Sequence, residues 1–344
     1  MDNLSKLKRI QTRSVPTVNG QSLVVKSPLS REQVFPLVIK PRYKGVDLAD
    51  WVKKNRSEFD ADLLKYGGVL LRGFDIQSLE DFGRFVGIFD TAPLPYMFRS
   101  SPRHELKEEV KHVYNSTVYP KEEKINLHNE SSYSRSWGMK ILFCCLQVAE
   151  EGGETPIADS RKILADIPSA LVQKFRDKGV LYRRKLIKGL GMSWQEVFQT
   201  TDRRIVEDVC YENDIRYTFI SEDHLEIEWN KKAVYTHPQS NEETWFNHVF
   251  FFNKYSRYEE LGIRPGDPLP ADLIHTDTLF GDGTDIIMEE YLQLKQAYDK
   301  NTISFLYEKG DIIFLDNMLA AHGRSSYKGS RLIATAIIEP AGDK

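Results

Sequence analysis

His128, Glu130 and His322 place the strongest demand on how this chain folds. His128-Asn129-Glu130 sets an imidazole and a carboxylate two positions apart, and His322 follows 194 positions after His128. Two imidazoles and one carboxylate are the ligand set of non-haem Fe(II), which leaves coordination positions open for other molecules. Side chains at i and i+2 of an extended segment share a side. A strand edge at Lys124–Glu130 therefore aims His128 and Glu130 at one point. His322 has to arrive on a different strand that folds back beside the first, so the chain must pair strands from distant parts of the sequence.

The bare tripeptide is not specific. In a chain with eight histidines, chance alone sets one beside an acid, and a hydrogen-bonded surface His128 with a solvated Glu130 reads the same way. The flanking segments decide. One block is His128-Asn129-Glu130-Ser131-Ser132-Tyr133 followed by KILFCCLQVAEEGGETPIADSR over Lys140–Arg161. The second is KGDIIFLDNMLAAHGRSSYKGSRLIATAI over Lys309–Ile337, and a weaker third is YGGVLLRGFDIQSLEDFGRFV over Tyr66–Val86. Together they resemble the TauD/TfdA family of Fe(II)- and 2-oxoglutarate-dependent dioxygenases. The resemblance is closest to the branch with Glu in the ligand triad, which includes clavaminate synthase-like amino-acid hydroxylases and the aspartate hydroxylase of syringomycin biosynthesis. It touches most of the chain from about residue 60 to 340 and is vague between roughly 185 and 300.

The resemblance implies a mainly β fold with peripheral helices, a double-stranded β-helix (jelly roll), with His128, Glu130 and His322 as iron ligands. It further implies Thr155 as a contact to 2-oxoglutarate, Arg331 as the partner of that molecule's far carboxylate, and O2 as the other cosubstrate. Many relatives carry two consecutive arginines where this chain has Arg331-Leu332, so Arg331 stands alone there, and Arg324 is the alternative. The chemistry suits these roles: an arginine fork donates two parallel hydrogen bonds to a carboxylate, and a threonine hydroxyl adds another. Halogenating relatives replace the carboxylate ligand by a small residue. Glu130 is present here, which favours hydroxylation, desaturation or another oxidation.

The implied substrate is an amino acid or amino-acid derivative, free or presented on a carrier protein, in natural-product biosynthesis. A small organic acid or sulfonate is the alternative. A non-catalytic jelly-roll metal binder fits less well, since a closed structural site takes four protein ligands and only three converge. Candidate substrate contacts are Ser132, directly after the motif, Arg135, suited to a carboxylate, and Asn247. The last lies in Trp245-Phe246-Asn247-His248, which resembles a pocket-lining segment of relatives that often has Gln where His248 sits. His237 reads as a turn or core residue. Asp316-Asn317 is placed to support the metal ligands by hydrogen bonding or to form a turn.

Bulk properties agree with a soluble enzyme: 41% hydrophobic and 28% charged residues are ordinary. A net charge of −3 and a pI near 6.3 give no electrostatic case for nucleic acid or an anionic membrane. No apolar run is long enough for a transmembrane helix, and the polar N-terminus lacks the core of a secretory signal. Three cysteines form no disulfide framework and suit a cytoplasmic setting. Cys144 and Cys145 read as packing residues of a buried strand.

Residues 1–20 read as a loose tail, and 21–344 as a single jelly-roll oxygenase domain with insertions around 91–123 and 185–300. Apolar spacing predicts helices over Val46–Tyr66, Leu79–Phe89, Arg161–Lys178 and Ile286–Asp299. Strands are predicted at Val69–Gly73, 124–130, 140–149, 155–159, Ile303–Leu306, Asp311–Leu315 and Arg331–Glu339. Residues 180–252 are rich in strand formers, including ETWFNHVFFF. The proline-rich stretch 91–123 is a candidate wall of the active site. Many short strands with peripheral helices point to a double-sheet jelly roll.

Overall fold

A computed structural model describes residues 17–18, 21–89, 113–115, 119–264, 267–268, 270 and 273–343. The fold is mainly β. Its largest sheet runs in the order Val24–Pro28, Leu37–Pro41, Gly68–Leu71, Ile312–Asp316, Ser136–Gln147, Leu332–Gly342 and Val113–Asn115. Neighbours are antiparallel except Leu37–Pro41 beside Gly68–Leu71, which is parallel.

The central strands of this sheet are apolar on both faces because both faces are covered. Leu142, Cys144, Ile312, Phe314, Ala334 and Ala336 pack against Trp51, Phe59, Phe82 and Phe85, which lie on the helices Leu48–Lys54, Arg56–Tyr66 and Leu79–Val86. The alternate residues Ile141, Phe143, Cys145, Ile313, Leu315 and Ile333 share a core with Ile157 and Ala320. These last two belong to a second, antiparallel sheet of three strands, ordered Ile157–Asp159, Ala320–Arg324, Ile125–His128. Strand alternation sets His322 on the same side as Ala320, facing the large sheet. Ala321, Ala158 and Leu127 face the other way, into a core shared with the helices Ser169–Lys178 and Met288–Asn301 and the strands Val180–Ile187 and His224–Lys231. The small sheet is therefore buried between two cores, with the histidines on its inner side.

Local chemistry sets the element ends. Ser78 and Asp81 close a reciprocal capping box at the start of Leu79–Val86. Gly67, at φ 77°, ends Arg56–Tyr66 in the left-handed region and feeds directly into Gly68–Leu71.

Several expectations change. The helix predicted over Val46–Tyr66 breaks at buried Asn55, whose side chain donates to the Trp51 carbonyl at 2.8 Å. The helix predicted over Arg161–Lys178 breaks at Ile167-Pro168, since proline lacks an N–H and disfavours helical geometry in the residue before it. In ETWFNHVFFF the strand covers only Glu243–Trp245, and Val249–Phe252 is helical. Ile303–Leu306 is no strand: Ile303 alone makes a bridge, to Ile157. Of residues 1–20, Thr17–Val18 pairs with Gln21–Ser22 and the rest lie outside the described residues, as does most of 91–123.

Candidate metal centre and its surroundings

The register of the small sheet sets His322 opposite His128 on one side and opposite Ile157 on the other. Donor atoms of His128, Glu130 and His322 all lie within 4.8 Å of one another. Glu130 Oε2 is 4.0 Å from His128 Nε2 and 3.8 Å from His322 Nε2. His128 Nδ1 is 2.9 Å from the Asn126 carbonyl. A carbonyl only accepts, so Nδ1 carries the proton and Nε2 keeps its lone pair for the cluster. Phe143 packs 4.8 Å from the His322 ring, and Phe251 4.8 Å from the His128 ring. Glu130 and His322 are buried. Two imidazoles and a carboxylate facing one another in a largely buried site are a set that binds a divalent cation, and three ligands leave room for other molecules on the ion.

Glu130 reaches the cluster differently from the predicted route. The strand stops at His128, and Glu130 lies in the following turn, where Ser131 has φ 55°. The buried Asn317 side chain holds that turn. Its Oδ1 accepts from Glu130 N at 2.7 Å, and its Nδ2 donates to the carbonyls of Glu130 at 2.9 Å and Gly138 at 2.8 Å. Asn129 Nδ2 returns the contact by donating to the Asn317 carbonyl at 2.7 Å. Next to it, Asp316 is bonded by Lys140 and His237. Burial opposes ionisation of Asp316, but these partners win and hold its carboxyl below the usual range. His237 is thus a core residue serving Asp316, with Nδ1 accepting from the backbone of Gln239 and Ser240.

Thr155 precedes Ile157, the cross-strand neighbour of His322. Its Oγ1 accepts from Tyr307 OH at 2.9 Å. Arg331 Nε donates to the Gly153 carbonyl at 2.8 Å, and its guanidinium stands 5.6 Å over the Tyr327 ring. Gly153 has φ 75°, and a Cβ there would meet Arg331 Cδ at 3.0 Å, so only glycine lets the arginine cross so closely. Burial works against the charged form of Arg331, with Tyr307 and Tyr327 opposing that effect. Arg324, the alternative, donates to the carbonyls of Tyr119, Pro120 and Glu123 at 3.0, 2.5 and 2.7 Å. Its fork is spent on the chain itself.

The three expected substrate contacts separate. Ser132 is buried beside the cluster; its hydroxyl donates to the Asn129 carbonyl at 2.9 Å and lies 2.7 Å from His248 Nδ1. Arg135 is not brought there. It is half-exposed and paired with Asp214 at 3.0 Å and the Glu212 carbonyl at 2.8 Å. Asn247 is buried but tied to backbone, donating to Ala233 O at 2.8 Å and accepting from Val249 N at 2.9 Å. It starts the helical turn where a strand was expected.

His248, which the sequence offered only as the neighbour of Asn247, lies closer to the cluster. Its ring is 5.3 Å from that of His128, 4.8 Å from Tyr133 and 4.9 Å from Phe252. Burial pushes it well below the usual imidazole range; His128, His322 and Arg184 add to this, against Glu130. Arg184 is buried and was also missed. The inward alternation of Tyr182, Arg184 and Leu186 along Val180–Ile187 was the available signal.

Residues 30–336 match the family described as taurine catabolism dioxygenase TauD, TfdA family. The chain is 35% identical over 283 residues to dapdiamide synthesis protein DdaC of Enterobacter agglomerans, covering 82% of this chain and 84% of that one. It is 25% identical over 349 residues to a clavaminate synthase-like protein of Arabidopsis thaliana, covering 92% and 99%. The crystal structure of PvcB from Pseudomonas aeruginosa shares the fold, with a TM-score of 0.55 at 14% identity and 94% of each chain covered. The chain therefore belongs to the TauD/TfdA family and is an iron- and 2-oxoglutarate-dependent dioxygenase.

Proposed function

We propose that this protein oxidises an unactivated C–H bond of an amino acid or amino-acid derivative, in a jelly-roll domain spanning 21–344. The overall change is substrate, 2-oxoglutarate and O2 going to hydroxylated product, succinate and CO2. The observation that carries the reading is the convergence of His128, Glu130 and His322 on the inner side of a small sheet, with Thr155 and Arg331 on adjoining segments. Iron held there supplies the activation of O2. His128, Glu130 and His322 hold the ion. Arg331 and Thr155 take the far carboxylate of 2-oxoglutarate, which suits a guanidinium fork and a hydroxyl. Phe143, Phe251 and Tyr133 exclude water around the reacting groups.

An amino-acid type of substrate is favoured by the 35% identity to a dapdiamide synthesis protein, and a carrier-bound form of it is one of the two forms to be tested. A cytoplasmic setting suits Cys144, Cys145 and Cys210, all buried free thiols. Among the described residues no helix is long and apolar enough to cross a membrane. The test is coupled turnover by the Fe(II)-loaded protein over a panel of amino acids, free and as carrier thioesters. Succinate should form in step with a product about 16 mass units heavier, or about 2 lighter for desaturation. Coupled product from taurine or a simple carboxylate alone would replace the amino-acid reading with a catabolic one.

A further inference from the structure

Thr155 lies on the cluster's side of the small sheet. On the N-terminal side of Ile157, the ladder to the strand of His322 continues, with Gly323 N donating to the Pro156 carbonyl at 2.9 Å and Ser325 N to the Glu154 carbonyl at 3.0 Å. Strand alternation then sets Thr155 on the side of Ile157 and His322, and it is buried there. A threonine hydroxyl has one hydrogen to give, and its oxygen accepts. Tyr307 OH donates to that oxygen at 2.9 Å. The phenol is the donor of the two, since its proton is the more acidic. The Thr155 hydrogen is left over, and among the described residues it meets no acceptor. A buried donor of this kind in a folded protein calls for a partner.

Tyr307 is held for this task from outside the site. Arg72 donates to the Leu306 carbonyl at 2.7 Å and to Asp311 at 2.6 Å. Asp311 also accepts from Glu308 N at 2.7 Å. Both chain neighbours of Tyr307 are therefore tied to one ion pair. Leu306 is turned to solvent, 73% exposed, while Tyr307 is turned inward and packs in the core that holds Cys145, Ile157 and Ile333. Burial works against the charged form of Arg331, and the Tyr307 phenol is the largest influence opposing it. One phenol thus serves both residues read as contacts to the cosubstrate.

We propose that Tyr307 is a positioning residue for cosubstrate recognition: by occupying the Thr155 oxygen it turns that hydroxyl into a donor aimed at the far carboxylate of 2-oxoglutarate. This rests on reading Thr155 as a contact to that carboxylate. Without the phenol, the Thr155 hydroxyl rotates among orientations of which only some meet the ligand.

The experiment is calorimetric titration of the Mn(II)-loaded protein with 2-oxoglutarate and with 2-oxobutyrate, which has the keto acid end but no far carboxylate. Tyr307→Phe keeps the ring that fills the core. It should weaken 2-oxoglutarate about three- to ten-fold, the scale of one hydrogen bond, while affinities for 2-oxobutyrate and Mn(II) stay within about two-fold of wild type. Thr155→Val should weaken 2-oxoglutarate about ten-fold or more, as a hydrogen bond to a charged group is lost. Adding Tyr307→Phe to Thr155→Val should then change the affinity by less than about two-fold, because no hydroxyl remains to be oriented. Tyr307→Met, which also lacks a donor, takes the place of the phenylalanine variant should that one fail to fold. Unchanged 2-oxoglutarate affinity in Tyr307→Phe overturns the proposal, as do equal losses for the two keto acids or a loss that persists in full beside Thr155→Val. A Thr155→Val protein that binds 2-oxoglutarate like wild type sinks the contact reading itself. A loss in Thr155→Val with none in Tyr307→Phe sinks only the role of Tyr307.

Discussion

Replacing Asn317 by alanine tests how the carboxylate ligand is held, because Glu130 lies in a turn and not on the strand of His128. The change removes three hydrogen bonds at once, to Glu130 N, Glu130 O and Gly138 O, in a place with no solvent exposure. A buried backbone group left without a partner costs about 1–3 kcal/mol. Three such losses, partly relieved by relaxation or an entering water, give an expected destabilisation of about 3–5 kcal/mol. The turn would also lose the restraint that aims Glu130 at the histidines, and loss of such outer supports weakens metal affinity by roughly 10–100-fold. Two assays separate the effects. Urea unfolding of the metal-free protein reads the first, and titration with Co(II), followed by its visible absorption, reads the second. Added metal should rescue stability less in the variant than in wild type at equal concentration, since stabilisation follows ligand concentration over Kd. An Asn317→Ala protein within about 0.5 kcal/mol of wild type that binds Co(II) unchanged would refute the claim that this amide positions the ligand.

Glu130→Ala should abolish 2-oxoglutarate turnover and weaken metal binding, and full succinate production by that variant would sink the ligand assignment. Arg331→Ala should raise the 2-oxoglutarate requirement by tens-fold or more, on the scale of about 2–5 kcal/mol for breaking a sequestered charge pair. Arg324→Ala should instead act on stability, because its fork serves the carbonyls of Tyr119, Pro120 and Glu123; the reverse pattern would move the cosubstrate site. His275 is pushed down to about 4, first by burial and then by Arg257 and Arg184, with the Leu273 carbonyl opposing. The unfolded chain then takes up a proton near pH 6.5 that the folded protein refuses, so stability is full above that pH and falls as pH drops toward 4. The loss is at most about 3 kcal/mol, and urea midpoints of His275→Gln should show a flatter slope across that window than wild type.

The cluster of His128, Glu130 and His322 and the large sheet were legible because their signals are periodic or chemically rare. Residues 312–315 of the strand Ile312–Asp316 are apolar without a break, which only a sheet covered on both faces permits, and its cores are the two that the alternation of Leu142 and Phe143 defines. The ligands were legible as residue types, but the route to Glu130 was not. Period-two reasoning assumes the strand continues, and the strand ends at His128 because Asn317, 187 residues away, captures the next backbone groups. A long-range side-chain bond leaves no periodic mark. The same holds for ETWFNHVFFF, where strand propensity is real but Asn247 spends its amide starting a helical turn.

Choosing between arginines required geometry of a kind that motif spacing does not carry. Arg324 stands two positions from His322 and looked suited to a carboxylate, yet its two terminal nitrogens are bonded to three backbone carbonyls. Arg135 follows the first motif closely and ends at the surface with Asp214. Arg184 lies in the stretch where the family resemblance was vague, yet it is buried beside the ring that also contacts His248. The distinction is physical: burial strips a guanidinium of water, and the terminal nitrogens of Arg324 are already bonded to the protein's own backbone. Burial of Arg184 against Phe252 follows from the inward phase of Val180–Ile187. Phase along a strand therefore says more about which arginine is buried than distance in sequence from the His128-Asn129-Glu130 motif.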